Sequence, residues 1–201
     1  RRIRRIMKRL NLVSVYQKAA FKLHSRGKNE APIPNRLDRQ FDQERPLEAL
    51  ATDLTYVRVD RRWAYVCLTI DFFNREIIGL TVGWHNTAEL VKQAIQSIPY
   101  ALTKAKLFHS DRGKEFDNQL IDEMLEAFGI TRSLSQAGCP YDNAVAESTY
   151  RSFKLEFINQ ETFQSLEELA LKTKGYVHWW NYHRIHGSLN YQTPMTKRII
   201  A

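Results

Sequence analysis

Residues 135–154, SQAGCPYDNAVAESTYRSFK, pass from loop to helix and decide how the chain is organised. Gly138 and Pro140 predict the loop, because glycine permits positive φ and proline interrupts both helix and sheet. Asp142 or Asn143 then offers a side-chain oxygen to the free amides of a first helical turn. We therefore expect a helix that begins here and contains Glu147.

The expected helix has two adjacent faces of different chemistry, at about 100° per residue. One face collects Ala146, Tyr150, Phe153 and Phe157. The next collects Glu147, Arg151, Lys154 and Ile158. Glu147 and Arg151 have the spacing of an ordinary solvated ion pair, which is the alternative to a functional face.

Composition indicates one sizeable domain plus an appendage, since the chain has 201 residues of which 43% are hydrophobic. The two cysteines, Cys67 and Cys139, lack Cys-x-x-Cys spacing and no secretory leader is recognisable, so we expect a reducing cytoplasm. No apolar run approaches the roughly 18 residues needed to span a bilayer. We therefore expect no membrane partner.

The positive charge is concentrated in the first quarter of the chain. Residues 1–50 hold 13 Lys and Arg against 5 Asp and Glu, and the formal net charge of the whole chain is +8. A basic arm on a neutral body predicts a polyanion partner, because each neutralised phosphate releases condensed counterion. A solvated surface segment is the alternative.

Residues 1–12 have the spacing of an amphipathic helix, with Ile3, Ile6, Met7 and Leu10 on one face. The opposite face holds the candidate DNA-binding residues Arg1, Arg2, Arg4, Arg5, Lys8 and Arg9. We interpret residues 1–20 as a basic, helix-turn-helix-like segment that begins inside a longer protein. Residues 21–46 are expected to be an extended linker, and residues 47–201 the main domain.

The sequence pattern of the main domain predicts a mixed sheet. Residues 50–59, 63–71 and 76–83 alternate as three hairpin-linked strands. The pattern then predicts helix 87–101, strand 106–110, helix 118–128, strand 131–134 and helix 166–180. Antiparallel hairpins followed by alternating strands and helices indicate an α/β fold whose mixed sheet is covered on both faces.

Two upstream aspartates join Glu147 as candidate site residues. Asp53 is a poor β-former among apolar neighbours in the first strand. Asp111 follows a short buried strand, at the end where α/β sheets place their sites. The 36-residue step from Asp111 to Glu147 is weak evidence by itself, because Asp53 and Glu89 have the same separation.

The sequence around these carboxylates resembles the OrfB-type transposases of the IS-three family of bacterial insertion sequences, over nearly the whole chain. The matching blocks are Thr52-Asp53-Leu54-Thr55-Tyr56, residues 71–79 DFFNREIIG, His109-Ser110-Asp111-Arg112-Gly113, residues 138–148 GCPYDNAVAES, residues 181–189 NYHRIHGSL and Thr193-Pro194. The block with Glu147 is the most specific. Leu50 departs from the family, in which many members have Trp before the first Asp.

The resemblance implies an RNase H-like integrase core with a catalytic triad of Asp53, Asp111 and Glu147. Two carboxylates about 4 Å apart repel by roughly 4 kcal/mol at an effective dielectric of 20, so three that converge must bind cations or hold protons. Oxygen ligands and a phosphate substrate favour two Mg²⁺ ions, with Mn²⁺ as a substitute. The implied activity is cleavage of element ends and strand transfer.

The implied partners are double-stranded DNA, as transposon ends and target, and further copies of the chain on that DNA. Arg151 and Lys154 follow Glu147 on its helix face and are assigned to DNA near the scissile phosphate. Arg112 and Lys114 are weaker candidates for phosphate contact. The implied location is the bacterial cytoplasm, at the nucleoid.

Two other functions stay open. An RNA-strand nuclease of the same fold would use a fourth carboxylate, where Glu89 lies, and a degenerate element would leave a DNA-binding protein without catalysis. His178, His183 and His186 suggest zinc only weakly, because no cysteine or carboxylate completes a tetrahedral set.

Overall fold

The computed structural model describes residues 2–10, 12 and 33–200. Its elements, in chain order, are α1 (Arg2–Arg9), β1 (Ala49–Val59), β2 (Arg62–Asp71), β3 (Ile77–Gly83), α2 (Ala88–Gln96), β4 (Leu107–Ser110), α3 (Gln119–Ala127), β5 (Thr131–Leu134), α4 (Ala144–Glu156), α5 (Leu166–Tyr182) and α6 (Pro194–Ile199). No helix among these residues combines the length and apolarity needed to cross a membrane.

The five strands form one mixed sheet in the order β3-β2-β1-β4-β5. The β1–β2 and β2–β3 pairs are antiparallel, whereas β4 is parallel to both β1 and β5. Consecutive hairpins join the antiparallel half, and helices connect the parallel half, as chain geometry requires. The predicted mixed five-stranded sheet is confirmed.

Each face of the sheet has its own hydrophobic core. Ala51 and Val57 of β1 pack with Phe153 of α4 and with α5 on one face. Leu50 packs with α2 and α3 on the other. Because successive side chains of a strand point to opposite faces, β1 contributes alternately to both cores. The prediction of helices on both faces is therefore confirmed.

Two helix ends differ from the expectations. The helix predicted over residues 87–101 ends at Gln96, because Pro99 cannot continue it. The predicted side-chain cap by Asp142 or Asn143 is wrong: α4 follows a 3-10 turn, Pro140–Asn143, and Asn143 makes no capping hydrogen bond. The carboxylate of Asp142 instead accepts from the backbone of Gln136 at 3.0 Å.

Residues 33–46 pack on the domain instead of standing away from it as an extended linker would. Leu37 is buried in the α4–α5 core, and its amide donates to the hydroxyl of Ser133 on β5 at 3.1 Å. Phe41 stacks on Phe72 with ring centroids 6.0 Å apart. The rest of the expected linker, and most of the expected basic segment after α1, lie outside the described residues, so the division into 1–20, 21–46 and 47–201 stays a prediction.

Candidate active site

The register of two parallel strands brings Asp53 and Asp111 side by side. The last residue pair between β1 and β4 is Ala51 with His109. Asp53 and Asp111 each follow two residues after that pair, on adjacent segments. Adjacent strands lie about 4.8 Å apart. Asp53 shares the sheet face of Ala51, which is the face that α4 covers.

Backbone amides orient both carboxylates. Oδ1 of Asp53 accepts from the amide of Leu54 at 2.7 Å, and Oδ1 of Asp111 accepts from the amide of Gly113 at 2.9 Å. These bonds favour the charged forms, but burial outweighs them. Burial therefore disfavours the charged form of both aspartates, although each accepts a backbone hydrogen bond.

Burial and neighbouring charge raise the pKa of Asp53 from 3.8 to about 7, and the charges of Asp111 and Glu147 both contribute to this rise. Burial also raises the pKa of Asp111, with a further contribution from the charge of Glu115. Negative charge thus accumulates at one edge of the sheet.

Glu147 reaches this edge because Tyr150, one turn further along α4, is bonded to the sheet at Asp53. The Tyr150 hydroxyl accepts from the amide of Leu68 at 2.7 Å and donates to the carbonyl of Asp53. Asp53 and Leu68 are themselves partners in the β1–β2 register. The buried Tyr150 ring therefore positions α4, while Glu147 lies exposed at its start.

The three carboxylates do not form a closed ligand set. In the described part of the chain, no group of three or more His, Cys, Asp or Glu side chains is arranged to hold a metal ion. The chemistry of the donors nevertheless fits a divalent cation, because all are carboxylate oxygens and a cation would relieve the repulsion at Asp53.

Sequence reasoning missed Glu115, whose charge raises the pKa of both Asp53 and Asp111. It lies four residues after Asp111, and its Oε1 accepts from the side-chain amide of Asn86 at 3.1 Å. Glu89, the carboxylate expected for a nuclease site, instead forms an ion pair with Lys92 at 3.3 Å on α2. The sequence feature that could have drawn attention to Glu115 is its place two residues after the Asp111-Arg112-Gly113 turn.

His109 supports the edge of the sheet through hydrogen bonds at both of its ring nitrogens. Its two ring nitrogens contact the hydroxyls of Ser133 at 2.9 Å and Ser135 at 3.1 Å. Burial lowers the pKa of His109 to about 4, so the ring is neutral. His109 is thus a buried histidine at a strand end with a hydrogen-bond partner at each ring nitrogen.

The loop before α4 is fastened by Asp142. Its buried carboxylate pairs with Arg39 at 2.8 Å. Burial acts to raise the pKa of Asp142, but the bonds from Arg39 and the Gln136 amide lower it overall. Asp142 is therefore charged and holds residues 136–142 to the segment before β1.

The candidate DNA-binding residues occupy different environments. Arg151 and Lys114 are exposed, and the Nζ atom of Lys154 lies 4.8 Å from the ring centroid of Tyr56. Arg112 donates to the carbonyls of Ser135 at 2.7 Å and Ile33 at 3.4 Å, so it fastens loops. The exposed basic residues of α1 are Arg2, Arg4, Arg5, Lys8 and Arg9, while Arg1 lies outside the described residues.

The three C-terminal histidines are in packing contacts. His178 stacks on Tyr182 with centroids 4.7 Å apart and lies 5.5 Å from His183. His186 is buried edge-on against Trp180 at 4.5 Å. All three histidine rings therefore lie in contact with other aromatic side chains.

Two family comparisons define the class of this fold and site. Residues 43–140 match the family described as Integrase core domain, and residues 128–194 match a second family of the same description. Together the matches cover β1 to β5, α4 and α5. The fold and the carboxylate edge thus define an integrase-type catalytic core.

The relatives by sequence are bacterial transposases. The transposase for insertion sequence element IS904 of Lactococcus lactis subsp. lactis (strain IL1403) is 27% identical over 197 residues, which cover 95% of this chain and 78% of the relative. Transposase InsF for insertion sequence IS3A of Escherichia coli (strain K12) is 31% identical over 162 residues. That match covers 78% of this chain and 56% of the relative, so the chain spans about half the length of that relative.

Solved structures share the fold. The HTLV-2 integrase catalytic core domain in complex with magnesium superposes with a TM-score of 0.55 at 15% identity, over 76% of this chain and 97% of that chain. A simian T-cell lymphotropic virus intasome gives 0.61 at 14% identity, over 78% and 56%. With the sequence matches, the family is clear: this chain belongs to the insertion-sequence transposases of the IS3 family, which have an integrase-like core.

Proposed function

We propose that this chain is the catalytic part of a DNA transposase that cuts the ends of an insertion element and joins them to target DNA. Asp53, Asp111 and Glu147 are the proposed catalytic residues. The supporting observation is the parallel pairing of β1 with β4, which ends at Ala51 and His109, two residues before Asp53 and Asp111. Burial and the charges of Asp111 and Glu147 raise the pKa of Asp53 to about 7. Asp53 is partly buried, and a carboxylate whose charged form is this unfavourable without a bound cation is typical of a functional site.

Asp53, Asp111 and Glu147 are also the proposed ligands of two Mg²⁺ ions, with Mn²⁺ as a substitute. When bound, such ions stabilise charge on the attacking and leaving oxygens of a phosphoryl transfer. β1 and the end of β4 would supply Asp53 and Asp111 as ligands, and α4 would supply Glu147. The amides of Leu54 and Gly113 each donate to one aspartate oxygen and so restrict the rotation of both carboxylates.

The reaction at this edge is an in-line displacement at phosphorus. Attack by water breaks one strand, and attack by a DNA 3′-hydroxyl joins two, with the old P–O bond breaking as the new one forms. The attacking oxygen loses its proton and the leaving oxygen gains one. Arg151, Lys154 and Lys114 are proposed to contact phosphates near the cut, whereas α1 contacts phosphates farther along the DNA.

The proposed partners follow from the reaction. Joining an element to a target brings two DNA ends together, so we propose a homodimer or larger assembly on double-stranded DNA. IS904 and IS3A transposases are bacterial, and we accordingly place this chain at the bacterial nucleoid.

The test is nicking of a labelled terminal-repeat duplex in Mg²⁺ or Mn²⁺. Asp53→Asn is expected to abolish nicking while binding to the same duplex in EDTA stays within about twofold. Glu89→Gln is the matched control, because Glu89 is an exposed carboxylate paired with Lys92; it should nick like wild type. Nicking that survives in Asp53→Asn contradicts the assignment.

The same assay separates the two alternatives. Preferential cleavage of an RNA·DNA hybrid would identify a nuclease of this fold. Binding without cleavage or joining, in either metal, would identify a DNA-binding protein without catalysis. Joined products that depend on a free 3′-hydroxyl are expected for the transposase.

A further inference from the structure

An aromatic surface lies beyond the carboxylates, where the β1–β2 hairpin extends past its neighbours. The ladder between β1 and β4 covers Ala49 to Ala51 only, whereas the hairpin continues to Val59. On its outer face Tyr56 and Trp63 are 55% and 50% exposed. Their rings meet edge to face, with centroids 5.1 Å apart and planes at 89°.

Two cations lie against these rings. The Nζ atom of Lys154 is 4.8 Å from the Tyr56 centroid, and the guanidinium of Arg58 is 5.3 Å from that of Trp63. All four side chains line one shallow groove of about 370 Å³. Glu161 also lines the groove, but it is paired with Lys172 at 2.7 Å. The groove therefore presents aromatic faces together with the positive charge of Lys154 and Arg58.

The groove lies next to the proposed catalytic edge, because β1 and α4 contribute residues to both. Tyr56 follows Asp53 by three residues on β1, about 10 Å at 3.3 Å per residue, and its side chain points to the opposite sheet face. β4 pairs with β1 only as far as Ala51, and Lys154 of α4 reaches the Tyr56 ring past the strand edge beyond it. Lys154 follows Glu147 by two turns of α4. A DNA strand whose phosphate lies at Asp53 and that passes this edge of β1 reaches Tyr56 after at least about three nucleotides, at about 3.4 Å each.

We propose that Tyr56 and Trp63 form a stacking platform for unpaired bases of the DNA strand being cut, with Lys154 and Arg58 binding its phosphates. The inference rests on the proposed function, because it takes DNA to be the molecule at the carboxylate edge. Bases inside a duplex already stack on each other and offer no free face. The platform therefore selects DNA ends that are forked.

The chemistry of the groove favours nucleotides over an apolar protein surface. Aromatic rings flanked by Lys and Arg suit ligands that combine a flat π-face with negative charge, and each nucleotide does so. Without DNA, the cations cover the ring faces. Base–aromatic stacking is stronger than an exposed cation–π contact, and a released cation gains a phosphate partner.

The experiment compares two fluorescent DNA duplexes in EDTA, so that no cleavage occurs. One is blunt, and the other has about four unpaired nucleotides on each strand at one end. Tyr56→Leu and Trp63→Leu are expected to weaken binding to the forked duplex by about tenfold, with the blunt duplex unchanged. Tyr56→Phe should bind like wild type, since it keeps the ring.

Tyr191→Leu is the matched control, because Tyr191 is a 75% exposed aromatic outside this groove; it should affect neither duplex. Equal loss on both duplexes, or no loss on either, overturns the platform. A change in self-association without DNA, measured by sedimentation, would assign the rings to a protein interface and also overturn it. Binding in EDTA is independent of nicking, so failure of the platform and failure of the transposase reaction are distinguishable.

Discussion

The hydroxyl of Tyr150 on α4 donates a hydrogen bond to the backbone carbonyl of Asp53 on β1. The same hydroxyl accepts from the amide of Leu68 across the hairpin. A single side chain thus connects the helix that bears Glu147 with the strand that bears Asp53. The distance between the first and last proposed catalytic residues depends on this contact.

Tyr150→Phe is expected to lower the free energy of unfolding by about 1 to 3 kcal/mol, because the buried Leu68 amide loses its partner. It should also slow nicking by at least tenfold, since small displacements of catalytic groups are costly. Chemical denaturation and single-turnover nicking measure the two effects. Tyr176→Phe removes a hydroxyl that donates to Glu156 at 3.1 Å, and this control should keep the nicking rate. Equal slowing by both variants would contradict a positioning role for Tyr150.

The raised pKa of Asp53 predicts the pH dependence of the metal-free protein. Between 3.8 and about 7 the folded carboxyl keeps a proton that the unfolded one has lost. Stability from this group therefore falls as pH rises through that window. Divalent cations should offset the loss, so Mn²⁺ is expected to raise the Tm more at about pH 8 than at about pH 5.5. In Asp53→Asn, the rise in Tm caused by Mn²⁺ should be similar at the two pH values. If the difference between them persists, the pH dependence belongs to a group other than Asp53.

Arg198 on α6 is expected to be a major stabilising residue. It donates to Asp71 at 2.6 Å and to Glu76 at 2.5 Å, and both carboxylates are almost fully buried. Arg198→Met leaves two buried negative charges, which should cost about 3 kcal/mol or more in urea denaturation. Lys197→Met, beside it on α6, removes a charge that lies over Phe73 and should cost less than about 1 kcal/mol. Similar losses would contradict the role of Arg198.

The two cysteines should differ in reactivity. Burial raises the pKa of Cys67 to about 12, whereas Cys139 is partly exposed in the loop before α4. A thiol reagent at neutral pH is expected to label Cys139 quickly and Cys67 only after unfolding. Mass spectrometry of the labelled protein gives the site. Rapid native labelling of Cys67 would contradict its burial within the sheet.

Local patterns were enough to predict the order and type of the elements of the sheet. The alternation in β1 to β3 and the helical spacing in α3 to α5 depend only on residues close together in the chain. The structure has strands and helices at those places. Errors arose where a neighbouring residue overrode the pattern, as Pro99 ended α2. The cap at Asp142 failed for a different reason, because the distant Arg39 and the Gln136 amide hold its carboxylate.

The sequence by itself determined the family, the mixed sheet and the three carboxylates expected at one site, because these depend on residue types and short spacings. Only the tertiary structure decided that Tyr150 joins α4 to Asp53, that Leu37 is core, and that Arg198 neutralises Asp71. Each of these contacts joins residues far apart in the chain. Which distant groups meet depends on how the helices pack on the sheet, and no local spacing specifies that packing.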